Sequence, residues 1–327
     1  MEPVIEPVSR EALMAELSPK TLLRTTNRAA NELYIVGPEA VNVIREIGRL
    51  REIAFRDGGG GTGKALDIDE FDTDPAYGYK QLVLWDPEAQ EIIGGYRFCI
   101  CDEALFNREG QPLLTSSHMF HFSKKFIKQY LPYTLELGRS FVSVDYQSSK
   151  AGAKSLYALD NLFDGIAALG VLYKKRIKYF FGKATIYREY PEKARELIMC
   201  FLRHYFGKGH RLLSIRKEVK IEKSARRRYY RLFKGLDYKE GYRVLKAEVQ
   251  KLGISIPPLV NTYMNLSPTM IYFGTGINDE FGDVYDSGIL VTFMEMYPEK
   301  RQRHSDSFIK QGWQHMRKLL RRFSKKN

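Results

Sequence analysis

The chain of 327 residues reads as an α+β fold, a mixed central sheet flanked by helices. Three observations predict it. Lys80–Asp86 and Glu91–Cys101 are strand-like runs joined by a polar turn containing Pro87, the pattern of a hairpin. Tyr133 to Val144 is a further strand-like run, and a helical pattern from about Ala151 to Lys174 separates it from a strand at Ile177–Ile186. Thr269–Gly274 and Ile289–Met296 read as late strands that complete the sheet.

In chain order, a helical opening region leads into Val41–Arg56, where Val43, Ile44, Ile47, Leu50 and Phe55 recur with a period close to that of a helix. A flexible glycine loop follows. The hairpin, the Tyr133 strand, the Ala151 helix and the Ile177 strand then bring a core of residues 1–190 to its end. Residues 191–253 read as a basic helical insertion, 254–300 as the late strands, and 301–327 as a basic tail. In that tail Ile309, Trp313, Met316, Leu320 and Phe323 recur at helical spacing, with Arg317, Lys318, Arg321 and Arg322 between them. No internal repeat stands out. One extended domain with an insertion and a tail is the reading, and two tightly packed domains are the alternative.

The formal net charge of +13 is concentrated. Residues 216–234 carry +7 and residues 300–327 carry +9, which leaves −3 for everything else. Two basic appendages on a slightly acidic core point to acidic partners. The tail has the pattern of a helix that lies on an anionic membrane, or whose apolar stripe packs on the domain. In 216–234, Tyr229, Tyr230 and Phe233 interleave with arginines, a pattern open to an acidic carrier protein, lipid head groups or nucleic acid. No nucleic-acid fold signature accompanies it, so nucleic acid is not expected. Met1 to Leu17 lacks the uninterrupted apolar core of a signal peptide. The longest apolar stretch, Gly165 to Tyr173, is too short to span a bilayer. Cys99, Cys101 and Cys200 form neither a disulfide framework nor a metal-ligand spacing. These features predict a cytoplasmic protein, free or peripheral on the inner face of the cytoplasmic membrane.

Two motifs are set aside. Gly58-Gly-Gly-Gly-Thr-Gly63-Lys64 satisfies the skeleton of a phosphate-binding P-loop. Residue 65 is Ala instead of the magnesium-binding Ser or Thr, the segment before it is helical, and no helix follows, so a connecting or closing loop is expected. His118-x-x-His121 has no Cys or carboxylate to complete a metal set, and no metal is expected. The chain has no G-x-S-x-G elbow, so covalent serine catalysis is not suggested.

What remains is a set of acids and arginines. Glu136-Leu-Gly-Arg139 sits inside the Tyr133 strand and answers an upstream cluster, Asp67-Ile-Asp-Glu-Phe-Asp72. Residues alternate faces along a strand, so Glu136 and Arg139 point the same way only if a bulge or bend re-aims one of them. Arg51-Glu-Ile-Ala-Phe55, Asp69-Glu-Phe-Asp72, Gly94-Gly-Tyr-Arg97 and Glu136-Leu-Gly-Arg139 occur in this order. The set resembles the acyl-homoserine-lactone synthases and, more closely, the ornithine-lipid and glycine-lipid N-acyltransferases. The latter are often labelled haemolysin-like and are similar in fold to the GCN5-related N-acetyltransferases (GNAT). The resemblance covers about residues 33–190. A second match, typical of the lipid-forming branch, follows at Ile256-Pro-Pro-Leu-Val-Asn-Thr-Tyr263 and Asp279-Glu-Phe-Gly282.

The resemblance implies an N-acyltransferase that moves a long (3-hydroxy)acyl chain from a thioester to the amine of a small amino acid, ornithine or glycine, giving a lyso-aminolipid. No cofactor is held permanently, because the acyl-phosphopantetheine thioester is a co-substrate. Arg51, Asp69, Asp72, Arg97, Glu136 and Arg139 correspond to the charged cluster of the synthases, with Glu136 as general base. The alternative is an ion-pair network that fixes the amino-terminal helix and loop against the sheet. Backbone N–H groups around Phe141, Val142, Ser143 and Val144 would face the thioester oxygen. Gln147, Lys150, Ala151, Gly152 and Ala153, at the start of the Ala151 helix, would cradle the phosphate. Here the glycine lies two residues beyond its place in the acetyltransferase motif, which favours acyl carrier protein over coenzyme A as donor. No Trp occurs between Phe55 and Asp67, where the synthases carry an aromatic substrate contact. The rival readings are a non-catalytic GNAT-like module that binds membrane or nucleic acid, and an acyl-CoA-dependent N-acetyltransferase.

Overall fold

The computed structural model describes residues 1–147, 152–209, 211–306, 308–310 and 312. Lys150, Ala151 and most of the amphipathic tail, including Trp313, Met316, Leu320 and Phe323, lie outside these residues.

Among the described residues the principal elements follow one another as α1 (Arg10–Glu16), β1 (Leu22–Thr25), β2 (Glu32–Val36), α2 (Val41–Asp57), α3 (Glu70–Thr73), β3 (Lys80–Asp86), β4 (Glu91–Ile100), β5 (Phe120–Phe122), α4 (Lys124–Gln129), β6 (Thr134–Val142), α5 (Gly152–Leu172), β7 (Tyr179–Ile186), α6 (Glu192–Phe206), β8 (Leu213–Ile215), α7 (Lys223–Phe233), α8 (Tyr238–Gln250), α9 (Pro258–Met264), β9 (Ile271–Asn278) and β10 (Val284–Thr292). Eight strands form one sheet in the order β1-β2-β3-β4-β6-β7-β10-β9. Only the β6–β7 pair is parallel. The fold is the mixed, helix-flanked α+β sheet that the sequence predicts.

Each face of the sheet takes a helix for a sequence reason. The apolar stripe of α2 lays Val43, Ile47, Leu50, Ala54 and Phe55 against Val83, Trp85, Ile92 and Phe141. On the other face α5 contributes Ala158, Leu162, Ile166 and Leu169, which meet Leu82, Leu84, Tyr96, Phe98, Leu135 and Leu137 in a core shared with α6 and α9. A helix is buried through its stripe and a strand through every second residue, which accounts for both contact sets.

Three elements differ from the sequence reading. β1 and β2 stand where a helical opening was read. Leu33-Tyr-Ile-Val36 is apolar, with aromatic and β-branched residues, and it pairs residue for residue with Gln81–Leu84. β8 lies inside the segment read as helical and pairs with β5, Phe120 opposite Ile215. β10 begins at Val284, because the turn-like Asp286-Ser-Gly288 is buried inside the sheet between β7 and β9.

The stripe of α7 also corrects one surface pattern. Tyr229 and Phe233 are buried in the core, whereas Arg226, Arg227, Arg228 and Arg231 are exposed. Their interleaving is the two-sided pattern of a packed helix, so of this segment the arginines and not Tyr229 or Phe233 are open to a partner.

Candidate active site

β6 and β7 pair over four residues only, from Thr134 opposite Tyr179 to Leu137 opposite Gly182. Beyond that rung β6 runs on to Val142 and β7 to Ile186 without pairing with each other, and the sheet splits. Gly182 permits the last rung: a Cβ there would stand 2.8 Å from the Leu137 carbonyl oxygen. A cavity of about 910 Å³ fills the split. Its walls come from both faces, with Ala158, Leu159 and Tyr263 on the α5 side and Phe55, Arg139 and Phe281 on the α2 side. The cavity therefore runs through the sheet. A narrow apolar chamber of about 30 Å³ adjoins it, sharing Leu137 and Tyr263 and reaching Ala167 and Phe293.

The irregularity required by Glu136-Leu-Gly-Arg139 is present. Gly95 pairs with Phe141 but Arg97 with Gly138, so β6 carries one extra residue opposite β4. Arg139 takes a left-handed conformation at φ 47°. This bulge re-aims its side chain to the α2 side, where Nε meets Asp67 at 3.0 Å and the guanidinium stacks on Phe281 at 4.7 Å. Ser140 then joins Tyr96 and Tyr263 on the α5 side.

Arg139 ends a chain of ion pairs. Asp69 lies between it, at 3.9 Å, and Arg97. Asp72 takes Arg97 at 2.9 Å and Arg51 at 3.0 Å, and Gln81 donates to Asp72 while accepting from Arg51. Burial alone would raise the Asp72 pKa, but Arg51 and Arg97 outweigh it and hold the carboxyl well below its ordinary range. Burial likewise opposes the Arg97 charge, and Asp72 and Asp69 overcome it. α3 fits the network because Asp69 is its N-cap and Asp72 closes the capping box.

The predicted residues fall into three groups. Arg139, Phe141, Val142 and Gln147 line the cavity. Arg51, Asp69, Asp72 and Arg97 stand behind it in the ion-pair chain. Glu136 is also behind it: the carboxylate is 1% exposed, accepts from the Tyr79 hydroxyl and from the Ser116 N–H at 3.1 Å, and is not part of the cavity wall. A proton from a substrate in the cavity could reach it only through an intermediary. Burial and the Glu136 charge raise the Tyr79 pKa well above its ordinary value, so that hydroxyl stays protonated.

Of the proposed backbone donors, the Ser143 N–H is already committed to the Ile93 carbonyl at 2.8 Å. N–H groups alternate direction along a strand, so the Val142 N–H faces the split, and the Val142 carbonyl accepts from the Gln147 side chain at 2.7 Å. Ser143 and Val144 lie off the cavity wall. Gly152 and Ala153 open α5, the helix that follows Gln147.

The glycine loop holds an anion of its own chain. The Glu52 carboxylate accepts from the Thr62 N–H at 3.0 Å and the Gly63 N–H at 2.8 Å, so the amides that would cradle a phosphate are occupied. His118 bonds Asn278 at 3.2 Å and His121 is exposed. Among the described residues no cluster of His, Cys, Asp or Glu is placed to hold a metal.

Sequence reasoning missed a second polar group on the cavity wall. Lys183 of β7 meets Asp286 of β10 at 3.4 Å, and Asp286 also accepts from Thr185 at 2.6 Å and Asn278 at 2.8 Å. Lysine inside the otherwise apolar run Tyr179-Phe-Phe-Gly-Lys183 was the available signal.

Residues 50–156, which include β6 up to and beyond the point where it parts from β7, match the acetyltransferase (GNAT) domain family. Glycine N(alpha)-acyltransferase of Phocaeicola vulgatus is 53% identical over 314 residues, 95% of each chain. Glycine N(alpha)-acyltransferase of Bacteroides thetaiotaomicron is 52% identical over 310 residues, 94% of this chain and 91% of that one. The chain belongs to this family of N-acyltransferases, whose donors are acyl thioesters. The solved structure of FeeM, an N-acyl amino acid synthase from uncultured soil microbes, aligns with 47% of this chain and 72% of its own at 13% identity and a TM-score of 0.29. Among the described residues no helix is long and apolar enough to cross a membrane.

Proposed function

We propose that the protein transfers a long acyl chain from a pantetheine thioester to the α-amine of glycine, forming an N-acylglycine that serves as a lyso-aminolipid. The observation that carries this reading is the cavity through the β6–β7 split, apolar on its α5 side and charged on its α2 side. The names of the two bacterial relatives favour glycine over ornithine as acceptor.

The thioester sits at the split with its acyl chain toward Leu137, Leu159 and the chamber beyond. The amine attacks from the charged side, a C–N bond forms, and the oxygen charge that develops is met by the Val142 N–H. Collapse breaks the C–S bond. Tyr263, beside Tyr96 and Ser140 on the same wall, gives its proton to the departing thiolate and takes up in its place the proton that the attacking nitrogen loses. Arg51, Asp72 and Arg97 act by holding Arg139 in place. The exposed arginines of α7 suit an acidic carrier protein as bearer of the thioester, and the amphipathic tail suits an anionic membrane that takes up the product.

The test incubates purified protein with acyl carrier thioester or acyl-CoA, and with glycine, ornithine or buffer, and identifies products by mass spectrometry. N-acylglycine formed faster from the carrier thioester is expected. Thiol release that glycine does not raise above buffer sinks the reading.

A further inference from the structure

Lys183 is the one lysine of β7, and it projects on the same side as Phe181, away from the α5 core that takes Phe180 and Ala184. Its side chain is 15% exposed and lines the cavity. The ammonium has three donors: one is directed at Asp286, and the Met119 sulfur, at 3.8 Å, is a weak acceptor. Bonding capacity is left over toward the cavity.

Burial and three charged groups act on that ammonium. Burial lowers its pKa, Asp286 opposes this, Arg139 lowers it further, and Glu136 raises it. Arg139 and Lys183 line the same cavity, although β6 and β7 have already parted. His118, on the remaining side, has its own pKa lowered by burial and by Lys183. Two cations held toward one partly desolvated space repel each other, and an anion between them relieves the repulsion.

We propose that Lys183, positioned by Asp286 and facing Arg139, binds the α-carboxylate of the acceptor amino acid. The assignment rests on the amino-acid acylation reading above. It explains why Asp286 is saturated by Lys183, Thr185 and Asn278: its task is to hold the ammonium, not to bind substrate. It also gives Glu136 a place, as a charge behind the sheet face that favours the protonated lysine. In glycine one carbon separates carboxylate from amine, so anchoring the carboxylate on the α2 side aims the amine at the split.

The experiment compares kcat/KM for glycine and for glycinamide, which keeps the amine and lacks the carboxylate. It uses the full-length enzyme, Lys183→Met, Lys183→Arg, and the double variant Lys183→Met/Asp286→Asn, which leaves no orphaned buried acid. The preference for glycine over glycinamide should fall about tenfold to a hundredfold in both Met variants, the range of a charge-assisted hydrogen bond. The fall should appear in the KM for glycine, with the donor KM unchanged, and Lys183→Arg should keep most of the preference. Equal losses on both acceptors would assign Lys183 to proton transfer or to structure, and an unchanged preference would remove it from the site; either overturns the proposal. A wild-type enzyme that acylates no amino acid overturns the reaction and the anchor together.

Discussion

Asp72 decides whether the ion-pair chain is structural support or chemistry. Its side chain has no exposure, and it joins two guanidiniums that are themselves 1% and 2% exposed. Asp72→Asn keeps the shape and removes the charge, which leaves Arg51 with no anionic partner beside the neutral Gln81 amide and Arg97 with Asp69 as its remaining ion-pair partner. Breaking one partner out of a buried ion pair costs about 3–5 kcal/mol. With an unfolding entropy of about 2.1 cal/mol/K per residue, a chain of this length has about 0.7 kcal/mol/K, so the melting temperature should fall by about 4–7 °C. The assay is calorimetric unfolding, with initial rates measured well below the transition. The carboxyl is depressed in the fold, so its contribution is complete above the ordinary aspartate value of about 3.9 and is lost as pH falls through the folded value. The gap between wild type and variant should accordingly close under acid. A fall of less than about 1.5 °C at neutral pH, about 1 kcal/mol on the same scale, would refute the supporting role. If it came with a large loss of kcat, Asp72 would belong to the reaction.

Gly182→Ala should lower stability by about 1–3 kcal/mol, because its Cβ meets a backbone oxygen at 2.8 Å and only strand movement relieves it; unchanged thermal unfolding would contradict the tight last rung. Ala167→Leu fills the apolar chamber behind Leu137 and Tyr263, so the donor-length profile should shift to shorter acyl chains at constant KM for glycine, and an unaltered profile would place the chain elsewhere. Since burial and Arg139 lower the Lys183 pKa, the KM for glycine should rise with alkaline pH before the ordinary lysine value of about 10.4 is reached, while that for glycinamide stays flat. Parallel profiles for the two acceptors would contradict the anchor.

The sequence showed what is local. The β3–β4 hairpin, the stripe of α2, the long α5 and the strand after it are patterns of contiguous residues. Even the bulge could be read, because Glu136 and Arg139 can act on one side only if the strand is irregular. The second polar group was hidden for a different reason. Lys183 meets Asp286 because β10 inserts between β7 and β9, and that pairing joins residues about a hundred positions apart. Asp286-Ser-Gly288 has the composition of a turn, and only its burial in the sheet makes it a strand.

The same reasoning accounts for Glu136. Its spacing from Arg139 was legible, but its depth was not. Depth depends on Tyr79 and the Ser116 loop closing over one face of β6, and neither is signalled near residue 136. One extra residue in β6 divides the two roles. Glu136, before the bulge, stays at the paired, covered end of the strand beside Phe181. Arg139, within it, turns to the same side of the sheet but emerges where β7 has left. Shortening β6 by that residue would keep Glu136 in place and send Arg139 toward α5, where Tyr96 and the apolar limb offer it no acid. The bulge is thus what brings charge to one mouth of the slot and leaves the other free for an acyl chain.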